Sequence, residues 1–391
     1  MGTAFSGHLD EVVRAARARS GVPGVAAGLA VDGRVELVAD GVLGLGGGEP
    51  VRPETPFRVA SISKWFTASL AALCVDLDAP LAGEASASAL LSHTAGLRCE
   101  SAEPLPAVAR GLWSYSNAGY WAVGDACAAA CGAPFAAAMR ARVLAPLGLG
   151  ASGYEEPARP ARGHVQEGET GHREVPKDAY PVARRPSGGL WSTVGDLLHF
   201  GAHQLGGPGP LGDEALAALR RPRAEALGAA YAHGFWSREL AGGRVALDHE
   251  GSVGGYQSLL LLVPAERLAL AVLTNSWRGS GLIRRVVRDL GLVPASPDPP
   301  THGGDVSGHA GHYALDGAEA DVEVVGGVLR VREAETDPAT GVRIAAPVWP
   351  AEPLGGGVYG FAGGLLMGHR IDFPRPDVAR VGWVALPRAE T

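Results

Sequence analysis

The run Phe57-Arg-Val-Ala-Ser61-Ile-Ser-Lys64-Trp-Phe-Thr-Ala-Ser-Leu-Ala-Ala-Leu73 constrains this chain more than any other stretch. Its apolar residues Ile62, Trp65, Phe66, Leu70 and Leu73 recur at helical spacing, so the segment is expected to be a helix with one buried face. One lysine sits in that run. With Ser61 at or near the helix start, Lys64 lies three residues on, on the same side of the first turn, where its amine can approach the serine hydroxyl. A serine hydroxyl needs a base to become a nucleophile at neutral pH, and a lysine can be that base only if burial and a helix N-terminus lower its pKa. The rest of the chain must bury this helix and open a cleft onto its serine.

With 391 residues, the chain is long enough for two cores, one large and one small. Apolar residues make up 46% and charged ones 19%, a globular balance, and the net charge of −7 gives no electrostatic footprint for nucleic acid. No apolar run is long enough for a membrane span, and the first residues lack a basic segment followed by an apolar one, so a cytoplasmic protein is expected. The cysteines are Cys74, Cys99, Cys127 and Cys131. Cys127 and Cys131 have a spacing that could serve a metal, but no histidine or cysteine cluster completes a site, so buried free thiols are expected, with no metal and no cofactor.

Taken in order, residues 8–20 read as an amphipathic helix with Leu9, Val12, Val13 and Ala16 inward. Val25–Val31 and Arg34–Val42 read as a hairpin turning at Asp32-Gly33. After the serine helix come a short helix over Ala89–Leu97 ended by Gly96, a polar turn at Tyr115-Ser-Asn117, and an Ala-rich helix to about Cys131. Another helical region covers Pro134–Leu147, and 151–183 reads as irregular. Ser192 or Thr193 could cap a helix from Val194 to Leu205. Tyr231–Glu239, Arg244–His249, Gln257–Val263 and Ala269–Asn275 read as an antiparallel meander, followed by a helix over Leu282–Leu290. The expected fold is an α/β sandwich, an antiparallel sheet flanked by helices with a small helical subdomain. It occupies 1–293 and is followed by a Pro/Gly-rich linker at 294–308 and an all-β domain at 309–391. Strands in that domain are expected at Asp321–Arg332 around Gly326-Gly327, and at Val342–Ala346, Val358–Phe361, Leu365–Phe373 and Ala379–Leu386.

Three elements carry chemistry: Ser61-x-x-Lys64, Tyr115-x-Asn117 and His249-Glu-Gly251. Each is weak alone. In this order, and with Leu90-Leu-Ser-His-Thr-Ala-Gly-Leu97, Pro146-Leu-Gly-Leu149 and Ser187-Gly-Gly-Leu190-Trp-Ser-Thr, they resemble the serine hydrolases of the β-lactamase and penicillin-binding-protein superfamily. The likeness is to the class C β-lactamase, D,D-peptidase and family VIII esterase branch in particular. His249-Glu250-Gly251 stands where K-T-G is the more familiar third motif.

The resemblance implies that Ser61 attacks a carbonyl to form an acyl-enzyme, that Lys64 takes its proton, and that Tyr115 relays the proton to the leaving group, titrating with Lys64 as a coupled pair. It also implies that Asn117 holds Lys64 and meets the substrate amide, and that the N–H groups of Ser61 and Ser252 form an oxyanion hole. Gly251 would let the strand approach the substrate, and His249 would line the cleft, binding a carboxylate when protonated or donating as neutral imidazole. The expected partner is a small-molecule or peptide acyl substrate, with hydrolysis of an ester, amide or peptide as the reaction. A β-lactamase proper fits less well with a cytoplasmic address and a third motif without lysine. Acyl transfer or peptide cyclisation through the same intermediate is an alternative, and a non-turnover binding or sensor module is another. The C-terminal domain resembles lipocalin-like barrels appended to such hydrolases, and is expected to shape substrate access, mediate dimerisation or simply add stability. The stretches from Ser61 to His93 and from His93 to Tyr115 are short for this family, so an open cleft suited to a bulky acyl donor is expected.

Overall fold

The structure is a computed structural model and describes residues 8–82, 85–167, 171–176, 180–293, 306–336, 343–345, 348–355, 357–361 and 369–389. An antiparallel sheet of eight strands organises the larger part. In spatial order they are Arg34–Gly41, Gly24–Val31, Leu268–Thr274, Tyr256–Val263, Arg244–Val253, Trp236–Leu240, Ala229–Tyr231 and Ala224–Ala226. The central strands Tyr256–Val263 and Leu268–Thr274 are apolar on both faces because both faces are covered. Leu260, Leu262, Ala269, Ala271 and Leu273 join the core that holds helices Ser63–Cys74 and Val194–Gln204. Leu259, Leu261, Val263, Leu268, Leu270 and Val272 join the core of helices His8–Ser20 and Gly279–Asp289. The twofold alternation of a strand sends each set to its own layer, and the result is the expected sandwich.

Local signals place most of these elements. Helix His8–Ser20 buries Leu9, Val12, Val13 and Ala16. Asp32 and Gly33 turn the first hairpin with φ of 50° and 80°, the paired positive values of a type I′ turn. Thr193 caps its helix, its hydroxyl accepting from the Asp196 N–H at 3.2 Å.

Three expectations for this part are corrected. The helix expected over Ala89–Leu97 spans Ala87–Leu91, because His93 adopts φ of 61° and turns its ring inward. The strand expected over Tyr231–Glu239 is two strands, separated by a turn that stacks Phe235 on Trp65 of the serine helix at 4.3 Å. The 151–183 stretch contains a short hairpin, His164–Glu167 with Gly171–Glu174.

The strands Gly311–Leu315, Ala318–Val325, Val328–Thr336, Trp349–Gly355, Val358–Phe361, His369–Arg375, Val378–Val381 and Val384–Pro387 follow one another in a second antiparallel sheet. A bridge between Tyr313 and Arg388 brings its ends together, so the sheet is a nearly closed barrel, as lipocalin-like proportions require. The strand expected over Ala379–Leu386 is instead the last hairpin of this barrel, turning at Gly382-Trp383. We propose the boundary between the two parts at 294–308; residues 294–305 of that linker lie outside the described residues.

The barrel is seated on the 97–116 segment. Val378 and Ala385 pack with Leu105 and Ala109, Arg98 pairs with Asp316 at 2.7 Å, and Arg375 donates to the carbonyls of Val108 and Arg110. Among the described residues no single helix is long and apolar enough to cross a membrane. Cys74 and Cys131 bring their sulfurs to 2.8 Å between two helices, and of the four cysteines only Cys127 is fully buried.

Candidate active site

Ser61 lies in a 3-10 turn, Ala60–Ile62, that leads directly into helix Ser63–Cys74. Its N–H belongs to the first turn, where backbone donors have no intrahelical acceptor. Ala60, immediately before it, has φ of 48°, a left-handed conformation that an alanine holds only when its surroundings impose it. Ser61 is half-buried, so the serine is not sealed in a closed pocket.

Lys64 has no exposed surface. Its Nζ lies 2.6 Å from Asn117 Oδ1, 2.7 Å from the Ser187 carbonyl and 3.3 Å from Ser61 Oγ. Burial pulls its pKa down from 10.5 to about 7, against an opposing pull from Cys99 and Glu100. A neutral amine has two hydrogens and one lone pair. The two shorter contacts take the hydrogens, which leaves the lone pair for Ser61.

Asn117 opens the helix Asn117–Cys131, capped by Ser116. Its amide has one orientation consistent with its neighbours: Oδ1 accepts from Lys64 while Nδ2 donates to Glu100. Glu100 in turn lies 3.7 Å from Arg184. Tyr115 packs its ring beneath the lysine, with Nζ 4.6 Å from the ring centroid. Its hydroxyl is buried without a well-formed hydrogen bond, and burial first, then Tyr231, pushes its pKa well above the usual phenol value, with nearby Ser61 opposing. The amine thus meets the ring face of Tyr115, and burial favours the neutral form of both groups.

His249 is fully buried. Burial and then Lys64 drive its pKa down to about 3, so the protonated, carboxylate-binding role expected of it is not available near neutrality. Its surroundings define a directed chain. The Ser116 N–H donates to His93 Nδ1 at 3.0 Å, so the proton of neutral His93 is on Nε2 and is donated to Tyr231 Oη at 3.2 Å. Tyr231 can then donate to His249 Nε2 at 3.3 Å, and His249 Nδ1–H donates to the Glu250 carbonyl at 2.6 Å. The chain fixes the Tyr115-Ser-Asn117 turn from behind, and the His93 and Tyr115 rings lie 4.3 Å apart.

At Gly251 a Cβ would stand 2.4 Å from the Val59 carbonyl and 2.3 Å from Ser258 Oγ, so the glycine lets its strand close on the serine turn. Ser252, the next residue, is exposed, its hydroxyl accepting from Gln257 Nε2 at 2.8 Å.

Five residues in or behind the cluster were absent from the expected set: His93, Glu100, Ser187, Tyr231 and Trp383. His93 and Ser187 lay inside quoted motifs, and the left-handed backbone of His93 could not be read from the chain. Glu100, Tyr231 and Trp383 carry no local signal, because only the tertiary fold brings them in. Trp383, at the tip of the last barrel hairpin, accepts the Tyr115 N–H on its carbonyl at 2.9 Å, and its ring lies 5.3 Å from that of Tyr115 and 6.3 Å from that of His249.

Comparison with known proteins accords with this arrangement. The family model described as Beta-lactamase matches residues 9–291. Penicillin-binding protein 4 of Amycolatopsis lactamdurans is 28% identical over 377 residues, covering 79% of this chain and 98% of that protein. The crystal structure of SurE superposes with a TM-score of 0.74 at 24% identity, covering 98% of both chains. D-amino acid amidase from Ochrobactrum anthropi superposes with a TM-score of 0.61 at 24% identity, covering 72% of this chain and 97% of that one. These structures share the fold, and the first shares it across both parts.

Proposed function

We propose that this chain, which belongs to the Beta-lactamase family and is a serine hydrolase, cleaves an ester or amide through an acyl-enzyme on Ser61. Lys64 takes the Ser61 proton as Oγ bonds to the carbonyl carbon. The N–H groups of Ser61 and Ser252 receive the oxyanion. As the tetrahedral adduct collapses, the bond to the leaving group breaks, and the proton passes from Lys64 by way of the Tyr115 hydroxyl to that group. Water then repeats the sequence on the acyl-serine, releases the acid and returns the proton to Ser61. Asn117 holds the amine in place throughout.

One observation carries this reading: the buried Lys64 amine, lowered to about 7, lies 2.6 and 2.7 Å from the Asn117 and Ser187 acceptors and 3.3 Å from Ser61 Oγ, an arrangement in which the neutral amine turns its lone pair to Ser61. One structural neighbour is named a D-amino acid amidase, and another is SurE with D-Leu. An acyl donor containing a D-amino-acid residue is the first to try. Incubation with a fluorophosphonate followed by peptide mass mapping is expected to label Ser61. Turnover of a p-nitrophenyl ester is expected to fall by at least a thousandfold in Ser61→Ala and in Lys64→Met. Turnover that persists in Ser61→Ala, or label on another residue, would refute the proposal.

Transfer of the same acyl group to an alcohol or amine is the second reading, favoured by the half-buried Trp383 beside Tyr115, an aromatic surface on which an organic acceptor can compete with water. Product analysis with an added amine separates the two.

A further inference from the structure

We propose that Trp383, carried into the cleft by the barrel, is the wall against which the substrate's leaving group rests, and that it selects leaving groups presenting a flat apolar or aromatic face. This rests on the acyl-enzyme reading above, in which Tyr115 hands a proton to the leaving group and must therefore touch it.

The geometry follows from the barrel's seat. The hairpin Val378–Val381 with Val384–Pro387 presses its tip against the Ser114-Tyr115 backbone. The Tyr115 N–H donates to the Trp383 carbonyl at 2.9 Å, and the Ala385 N–H donates to Ser114 Oγ at 3.2 Å. Arg370 Nη1 donates to the Leu227 carbonyl at 2.5 Å, which adds a tie on a second side. The tip is thus held at several points, and its φ of 59° at Gly382 allows the tight turn that puts the indole forward.

Trp383 stays half-buried although its ring meets Tyr115 at an interplanar angle of 41° and His249 at 73°. One side of the indole is occupied by these rings, and the remainder keeps exposed surface beside Tyr115. Behind it Trp113, Ala226, Leu227 and Trp236 form a buried aromatic and aliphatic cluster, so the indole is backed by apolar side chains. A flat apolar group would bury area on the indole and gain the tilted contact that aromatic pairs favour. The barrel thereby supplies the wall that the short stretches on either side of His93 leave out.

The test uses methyl and benzyl esters of one acyl group, with enzyme concentration set by fluorophosphonate titration. The benzyl-to-methyl ratio of kcat/KM in a variant, divided by the same ratio in wild type, cancels the intrinsic reactivity of the esters. Trp383→Ala is expected to lower the ratio roughly tenfold, and Trp383→Phe by no more than about threefold. Trp383→Leu, which keeps apolar bulk at the tip, serves as the second variant and is expected to fall between them. An unchanged ratio in both Ala and Leu variants overturns the proposal. So does an equal loss for the two esters, which would mean that the hairpin only positions Tyr115. Ester turnover persisting in Ser61→Ala would sink the acyl-serine reading, whereas an unchanged ratio in the Trp383 variants with turnover lost in Ser61→Ala would sink this proposal alone.

Discussion

Lys64→Met should remove activity while making the fold less sensitive to pH, and the structure sets the size of that effect. Lys64 is buried with its pKa lowered from 10.5 to about 7, so the folded state holds its proton less tightly than the unfolded state. The resulting destabilisation is fully present below pH 7, fades as pH rises from 7 towards 10.5, and is absent above. At ~1.4 kcal/mol per unit, it amounts to about 5 kcal/mol at pH 6 and about 2 kcal/mol at pH 9. Methionine carries no such cost. It leaves Asn117 Oδ1 and the Ser187 carbonyl without the lysine's hydrogens, which costs ~1–3 kcal/mol for each acceptor at either pH. His249 and His93 lose the push of the Lys64 charge in the variant but remain held neutral by burial, the larger cause of their lowering. The stability of Lys64→Met relative to wild type should therefore be more favourable at pH 6 than at pH 9 by about 2.5 kcal/mol, whatever its absolute sign. Urea unfolding followed by circular dichroism at the two pH values measures it. A difference that is the same at both pH values, or more favourable at pH 9, would refute a buried neutral lysine.

The same pKa puts a limb in the rate profile: kcat/KM should fall tenfold per unit below about pH 7, because protonation removes the lone pair that faces Ser61. A flat profile from pH 5 to 8 would contradict this. Glu100 opposes the lowering of the Lys64 pKa, so Glu100→Gln should move that limb to lower pH, and a shift to higher pH would overturn the assignment. Gly251→Ala would drive a Cβ into the Val59 carbonyl and Ser258 Oγ, so a loss of ~1–3 kcal/mol in stability and at least a tenfold loss of kcat are expected by thermal melting and ester assay. Wild-type kcat in a folded Gly251→Ala would mean that the serine turn tolerates the displacement.

The sandwich was legible because its determinants are periodic and local. The stripe Leu9, Val12, Val13, Ala16, the Asp32-Gly33 turn and the doubly apolar strands each declare one element and the faces it must bury. Ser61, Lys64, Tyr115 and Asn117 were legible for a related reason, since two short spacings and one order along the chain name them. What escaped depends on backbone that leaves its usual region or on contacts far apart in sequence. His93 ends its helix by turning left-handed, Gly251 yields to the neighbouring serine turn, and Glu100 gains its meaning only from the Asn117 amide. The Gly382-Trp383 turn was hidden within an apparently continuous strand, because Val-Gly-Trp-Val keeps strand composition through a two-residue bend.

The catalytic proposal asks three costly conditions of one short turn. Lys64 must stay neutral in a dry site, Ala60 must hold a left-handed backbone, and Ser61 must keep its N–H clear for an oxyanion. Each is unfavourable alone by roughly one to several kcal/mol. They are compatible because the same contacts impose all three. The strand at Gly251 closes on Val59 and Ala60, Ser258 Oγ donates to the Val59 carbonyl at 2.8 Å, and the Val59 N–H donates to the Leu190 carbonyl at 3.0 Å. Ser63 Oγ accepts the Leu190 N–H at 3.1 Å, which ties the Ser187–Leu190 segment to the helix that carries Lys64. That segment also presents the Ser187 carbonyl to the amine. Strain at Ala60 and the reduced basicity of Lys64 thus share a single support. A substitution that loosens it should raise the Lys64 pKa and relax the serine turn in the same step, moving the acid limb of the rate profile to higher pH as kcat falls.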